Sequence, residues 1–235
     1  MGNPAASEEC GYSPHLKRAY SSRFPNNKYP LLGWMLATLL ALIFYLGPFI
    51  LMLPLILSLL SAHRAAIIIF IIDIILVYMP VREWEYIRGI FQLLYDVFDF
   101  HHNLDVKKVE ELGKDKTMIV CMHPHGVIPM NGFLWTGFCD QYLKSLYGFG
   151  ATTDIALYLP FLRHVMGWVN AGSADRDVIR DKLESGVPLY ILPGGVAEIF
   201  LSEPGTNKVM ARRYGLMKIA LQTGSCLIPC YVFGQ

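Results

Sequence analysis

The sequence predicts an α/β domain with a mostly parallel sheet and flanking helices, preceded by an N-terminal transmembrane helical hairpin. Three observations predict it. Residues 31–62 carry no charged side chain, strand-like and helix-like segments alternate from about residue 118 onward, and the strand-like segments read as continuous apolar runs. The composition agrees: 54% of the 235 residues are hydrophobic and only 17% charged, above the soluble average, and mean hydropathy is positive. A net charge of +1 supplies no basic footprint for nucleic acid, so that partner is set aside. The length suits one catalytic domain and a smaller membrane part.

Residues 1–30 are polar, proline-containing and basic at Lys17, Arg18, Arg23 and Lys28, and read as a flexible cytosolic tail. The start "MGNPAAS" narrowly misses an N-myristoylation signal, because Ala6 holds the required Ser/Thr position. From Leu31 to Ala62 the run exceeds the roughly 20 apolar residues that one span needs, and Pro48 and Pro54 are expected to kink or divide it. After "SAHR" comes "AAIIIFIIDIILVYMPV" (65–81), short for a span and interrupted only by Asp73. Asp73 is a functional candidate by position; the plainer reading makes it a partner for Arg64 or Arg82. Basic residues cluster before the first segment and after the second, which puts both ends of a hairpin over 31–82 in the cytosol.

Residues 83–235 then form the predicted catalytic domain. "EWEYIRGIFQLLYDVFDF" (83–100) has helical spacing of apolar residues with acids opposite, as an interfacial amphipathic helix would. Strands are expected at "MIVCM" (118–122), "VPLYIL" (187–192) and "CLIPCYVF" (226–233). Helices are expected at "FLWTGFCDQYLKSLYG" (133–148), "ADRDVIRDKLESG" (174–186) and "VMARRYGLMKIALQTG" (209–224), the last two stopped by Gly186 and Gly224. The five cysteines are scattered and three lie in apolar runs, so no disulfide framework is predicted, and no Asn-x-Ser/Thr acceptor occurs. The chain stops at "FGQ" straight after an apolar strand, so the domain is expected to be incomplete at its C-terminus. Neither an internal repeat nor a low-complexity tract is present.

Functional groups gather at the carboxyl ends of parallel strands, and His123 and His125 fall there, after "MIVCM". Pro124 fixes one backbone angle between them and Gly126 permits a close turn, so "HPHG" is a rigid presentation of imidazoles whose ordinary pKa of about 6.5 suits proton removal from an alcohol. A second strand end carries "LPGGVAEIF" (192–200): Gly194 and Gly195 bring backbone N–H groups near a ligand, and Glu198 follows at a spacing that returns its carboxylate to the same mouth. "ARRYGLMKIAL" (211–221) places Arg212, Arg213 and Lys218 beside apolar residues, a solvated basic face or a phosphate-binding one. Two other chemistries were weighed. His-x-His at a strand end also begins the metal site of amidohydrolase barrels, which needs later ligands where only His164 is available; and Cys121 would serve as an acyl-bearing nucleophile only if burial did not hold it as a thiol.

The motifs "HPHG" (123–126), "PGGVAE" (193–198), "RRYGLMKIAL" (212–221) and "LIPCYVFG" (227–234), in this order behind a hydrophobic hairpin, resemble the type-2 diacylglycerol acyltransferase family, which includes monoacylglycerol acyltransferases and wax synthases. "PFLRHVMGW" (160–168) and the "DRD" of 175–177 are weaker echoes. The resemblance implies a glycerolipid-acyltransferase-like fold and transfer of a fatty acyl group from acyl-CoA to the free hydroxyl of diacylglycerol, giving triacylglycerol at the endoplasmic reticulum membrane and lipid droplets, with the catalytic domain facing the cytosol. Monoacylglycerol or a fatty alcohol is the alternative acceptor. It implies no cofactor and no metal, acyl-CoA being a co-substrate, and is compatible with a homo-oligomer. By role, His125 is the expected base, His123 positions it or binds substrate, and Glu198 orients the imidazole or contacts the acceptor. Gly126, Gly194 and Gly195 are expected oxyanion donors, Pro124 shapes the turn, and Arg212, Arg213 and Arg176 are expected on the carrier phosphates. The wider acyltransferases place an aspartate five residues after the histidine, where this chain has Met130 after His125 and Ile128 after His123, so a catalytic carboxylate has to come from elsewhere. The type-2 family also continues past the end of this chain. A non-catalytic membrane or lipid-droplet anchor is the competing reading from another class.

Overall fold

The computed structural model describes residues 22–23, 29–61, 64–201, 203, 208–210 and 212–234. Most of the predicted tail, with the near-miss at Gly2, and the break at 62–63 lie outside the described residues. Within the tail, Ser22–Arg23 (β1) pairs antiparallel with His101–His102 (β2).

The charge-free run forms one helix, Pro30–Ser61 (α1), continuous through Pro48 and Pro54. The expected division does not occur. At about 1.5 Å per residue its 32 residues reach about 48 Å, more than the roughly 30 Å of a hydrocarbon core. Arg64–Tyr78 (α2) packs against it, but its 15 residues reach only about 22 Å. By length and composition α1 is the one described helix able to cross a membrane. Asp73 lies nine residues from either arginine, turned inward and 3% exposed, with Oδ2 lacking a hydrogen-bond partner. Among the described residues it forms no ion pair, so the expected partnership with Arg64 or Arg82 is not made: about 13 Å of helix separates them.

The segment 83–100 is part of the core. Glu85–Ile90 (α3) and a 3-10 turn over Phe91–Leu94 pack between α1 and Met130–Tyr142 (α5), and Phe91, Leu94 and Tyr95 are almost fully buried. Phe91, Leu94 and Tyr95 meet protein, while Trp84, Tyr86, Ile90 and Phe98 stay exposed. Val106–Gly113 (α4), N-capped by the Asp105 side chain, leads into the sheet.

Five parallel strands follow: Met118–His123 (β3), Phe149–Thr152 (β4), Ala171–Ser173 (β5), Leu189–Ile191 (β6) and Cys226–Tyr231 (β7), in spatial order β5-β4-β6-β3-β7. β3 and β6 are neighbours in register from Ile119 against Leu189. Side-chain alternation along β3 serves two layers. Met118, Val120 and Met122 join the larger core with α1, α5 and Leu162–Trp168 (α7, after the short α6, Asp154–Leu157). Ile119 and Cys121 face the smaller core beneath Arg176–Glu184 (α8) and Tyr214–Thr223 (α10). A strand buried on both faces has no polar positions to alternate, which is why β3 reads as an unbroken apolar run.

The chain leaves β3 through α5 on one face to reach β4, and leaves β6 through Gly195–Leu201 (α9) and α10 on the other to reach β7. The carboxyl ends of β3 and β6 therefore flank a point where connections diverge, which opens a cleft there. The first half of α1 docks on this domain through Leu36, Ala37, Leu40, Ile43 and Phe44, a helical i, i+3, i+4 stripe.

Replacing Asp73 with Leu is expected to stabilise the helix pair, since burying a carboxyl whose Oδ2 has no hydrogen-bond partner costs about 1–3 kcal/mol. Thermal denaturation in detergent checks it, with an expected gain on the order of 2 kcal/mol. A loss of stability, or intact stability with lost turnover, would mark Asp73 as functional.

Candidate active site

The apolar β3 ends at His123, and the His123–Pro124 peptide bond is cis. Gly126 holds φ +66°, the left-handed turn anticipated for it. The Nδ2 group of Asn131, a side chain 3% exposed in the first turn of α5, donates to the Pro124 carbonyl at 3.0 Å, tying the turn to the helix that follows. Asn131 went unread in the sequence, where a lone polar residue in "PMNGF" gives little signal.

Glu198, in α9, is the centre of the arrangement and is fully buried. Its Oε1 accepts from His123 Nδ1 at 2.9 Å and from the Met210 backbone N–H at 2.9 Å, while Oε2 accepts from the His125 backbone N–H at 2.6 Å. Burial pushes its pKa up, but the donors from Met210, His123 and His125 outweigh that, and the carboxyl is held below its ordinary value. It is ionised at neutral pH. The carboxylate thus arrives from β6's end, 73 residues after His125, in place of the offset five residues on. It orients the imidazole of His123 and the main chain of His125, a finer division than the motif spacing conveys.

Both imidazoles have fixed tautomers. Nδ1 of His123 faces a carboxylate and Nδ1 of His125 faces the Gly126 carbonyl at 2.7 Å, both acceptors, so in the neutral ring the proton belongs on Nδ1 and the lone pair on Nε2. His125 lines a cavity of about 590 Å³ that runs along the carboxyl ends of the strands, between the turn after β3, the Thr152–Asp154 segment after β4, Asp175 after β5 and Pro193 and Gly195 after β6. Its walls are mostly apolar, with Phe133, Met166 and Ile199 among them. His123 lies outside that lining.

The second motif is seated by Arg213, whose Nε donates to the Pro193 carbonyl and whose terminal nitrogen donates to the Gly194 carbonyl at 2.7 Å. This guanidinium clamps the glycine turn, a structural role for Arg213 beyond the one its motif suggests. Arg212 and Arg176 are exposed, and Arg176 follows Asp175 at the cavity. The Gly195 N–H is committed to the Leu192 carbonyl at 3.1 Å and so is no oxyanion donor. In a planar trans peptide the N–H opposes the C=O, so with its preceding carbonyl on Arg213 the Gly194 N–H faces the other way. Gly194 is also obligatory: a Cβ there would overlap the Glu198 carboxylate.

His164 sits apart in α7, buried, neither ring nitrogen bonded, with its ring 6.2 Å from that of Trp168. Among the described residues no three His, Cys, Asp or Glu side chains gather as metal ligands. Cys121 packs in the layer opposite the cavity, and burial pushes its thiol up to about 11, so it is not a thiolate nucleophile at neutral pH.

Glu198 thus orders both halves of the His-Pro-His-Gly turn, of which His125 opens on the apolar cavity, in an α/β domain packed against a helix long and apolar enough to cross a membrane. The chain belongs to the diacylglycerol acyltransferase family, which its residues 51–235 match. It is 30% identical over 164 residues to Diacylglycerol O-acyltransferase 2-like protein 6 of Mus musculus, covering 66% of this chain and 46% of that one. It is 31% identical over 150 residues to Diacylglycerol O-acyltransferase 1 of Schizosaccharomyces pombe, covering 60% and 43%, and 28% identical over 164 residues to Acyl-CoA wax alcohol acyltransferase 2 of Mus musculus, covering 66% and 46%. The chain thus spans just under half the length of these relatives. Among solved structures, the 1-acyl-sn-glycerophosphate acyltransferase PlsC of Thermotoga maritima is similar over 85% of this chain and 71% of its own, at 17% identity and a TM-score of 0.36.

Glu198→Gln is expected to leave the fold standing and to flatten the acid limb of stability. A carboxyl with a lowered folded pKa stabilises fully above its ordinary value of about 4.5, and that contribution fades as pH falls through the lower folded value. Melting temperatures between pH 3 and 7 (approximate limits) check it; parallel acid limbs in the two proteins would overturn it. Gly194→Ala is expected to displace the carboxylate and to cost about 10²-fold or more in turnover, with membrane association unchanged.

Proposed function

We propose that this chain carries the acyl-transfer site of an acyl-CoA-dependent O-acyltransferase that esterifies the free hydroxyl of diacylglycerol, at the cytosolic face of the endoplasmic reticulum membrane and on lipid droplets. The observation that carries the reading is the Glu198-ordered His-Pro-His-Gly turn with His125 on the wall of an apolar cavity. Family membership and relatives named as diacylglycerol and wax alcohol acyltransferases support it.

In this reading Nε2 of His125 takes the proton from the acceptor hydroxyl as its oxygen attacks the thioester carbonyl carbon. The new C–O bond forms, and the carbonyl electrons move onto an oxyanion met by the N–H groups of Gly194 and Gly126. Collapse of that intermediate breaks the C–S bond, and the imidazolium returns its proton to the departing thiolate. The cavity holds hydrocarbon and keeps water from competing with the alcohol. Arg176, which follows Asp175 at the cavity, and the exposed Arg212 are the candidates to meet the carrier phosphates in this reading.

A second reading makes His123 the base, favoured by its 2.9 Å bond to Glu198, the usual device for strengthening an imidazole. Labelled oleoyl-CoA and diacylglycerol, given to membranes from cells lacking their own neutral-lipid acyltransferases, separate the two. His125→Ala is expected to lower triacylglycerol formation by about 10²–10⁴-fold and His123→Asn by less. The reverse order would transfer the role to His123. Turnover untouched by both substitutions would sink the histidine mechanism, and absence of product from every alcohol offered would favour the anchor.

A further inference from the structure

Phe44 belongs to α1, the membrane helix, and lies outside residues 51–235 that match the family. It nevertheless lines the same cavity as His125. Its ring stands edge-on to Phe133 of α5, with centroids 6.1 Å apart and planes at 82°, and Phe133 in turn leans on Phe91 at 5.0 Å. Leu40, one turn before, is 2% exposed in the core, and one turn after, Gly47 is buried, where an added Cβ would lie 3.8 Å from Leu159. The helix is therefore held against the domain on both sides of Phe44. That fixes the ring's position, as a wall requires.

We propose, resting on the acyl-transfer reading above, that α1 is part of the substrate site: Phe44 forms one wall of the hydrocarbon cavity and sets which chains fit. The ligand is a long acyl chain, whether it arrives on the acyl-CoA donor or on the acceptor lipid. A packed aromatic wall discriminates by volume, because a hydrophobic pocket resolves chains differing by one methylene by about 10–200-fold at most. Leu60, at the far end of α1 and 80% exposed, does not line the cavity.

Two measurements test it on the full chain in membranes. In the first, Phe44→Trp and Phe44→Ala are assayed against a donor series from decanoyl- to oleoyl-CoA with one acceptor, then against acceptors of varied chain length with one donor. Phe44→Trp is expected to lower kcat/KM for the long chains relative to the short by about 10-fold and Phe44→Ala to shift preference the other way. A shift in the first series places the donor chain at Phe44, and one in the second places the acceptor's. In the second measurement, needing no turnover, an acyl-CoA with a diazirine on its chain is photolysed with the unmutated protein. Label on Phe44 that excess oleoyl-CoA displaces, with Leu60 labelled indifferently to competitor, supports the wall. Turnover with wild-type chain ranking in both variants and no displaceable label on Phe44 overturns this inference alone. No turnover and no displaceable label anywhere removes the acyl-transfer reading and this inference with it.

Discussion

A fully buried carboxylate organises this domain. Taking an ion out of water costs several kcal/mol, and Glu198 offsets that cost with N–H donors that include His123, His125 and Met210, each charge-assisted bond worth about 1.5–3 kcal/mol. The donors come from three places: a side chain at the end of β3, the backbone of the turn beyond it, and the backbone at Met210. One charge thereby orders segments that have no contact in sequence. Protonating or removing it would release all of them together, so the geometry of both histidines and of the chain leading to Arg213 is a single cooperative property.

Topology explains why that charge lies where it does. β3 and β6 are adjacent, and their connections leave on opposite faces, so the sheet's two helical layers diverge above their carboxyl ends. Each strand end then delivers a piece: histidines from β3, the glycine turn and Glu198 from β6. Arg213 closes the set by holding the two carbonyls that would otherwise face the cleft unpaired. The planar, many-donor guanidinium lets this one side chain hold two backbone carbonyls at once.

What the sequence made legible follows from how strongly each residue type speaks. β3, β6 and β7 were readable as apolar runs, and α8 as a capped polar helix, because these patterns have few alternatives. β4 (Phe149–Thr152) and β5 (Ala171–Ser173) were not, being short and built from small residues whose burial comes from their neighbours. The HPHG turn and Glu198 were placed at one mouth correctly, since parallel strands force their ends together. Which imidazole the carboxylate would hold was not legible, for that depends on side-chain direction across the β3–β6 register. Nor was the status of 83–100: an apolar helical stripe records that a face is covered, not whether lipid or protein covers it.

The same ambiguity is resolved differently along α1. Its hydropathy is uniform, yet Leu36, Leu40 and Phe44 meet the core of the α/β domain while Leu39, Leu42 and Tyr45 on other faces stay exposed. The helix satisfies two apolar environments at once, protein on one side and, in a membrane-associated chain, hydrocarbon on the rest. Because interiors are close-packed and transmit displacement, its seat on the domain cannot shift without moving the side chains it packs against, Phe133 and Phe91 included. Membrane attachment and the shape of the cavity are thus set by one rigid element. An alteration confined to the apolar helix is therefore felt at the site through packing, even where no charged or reactive group is touched.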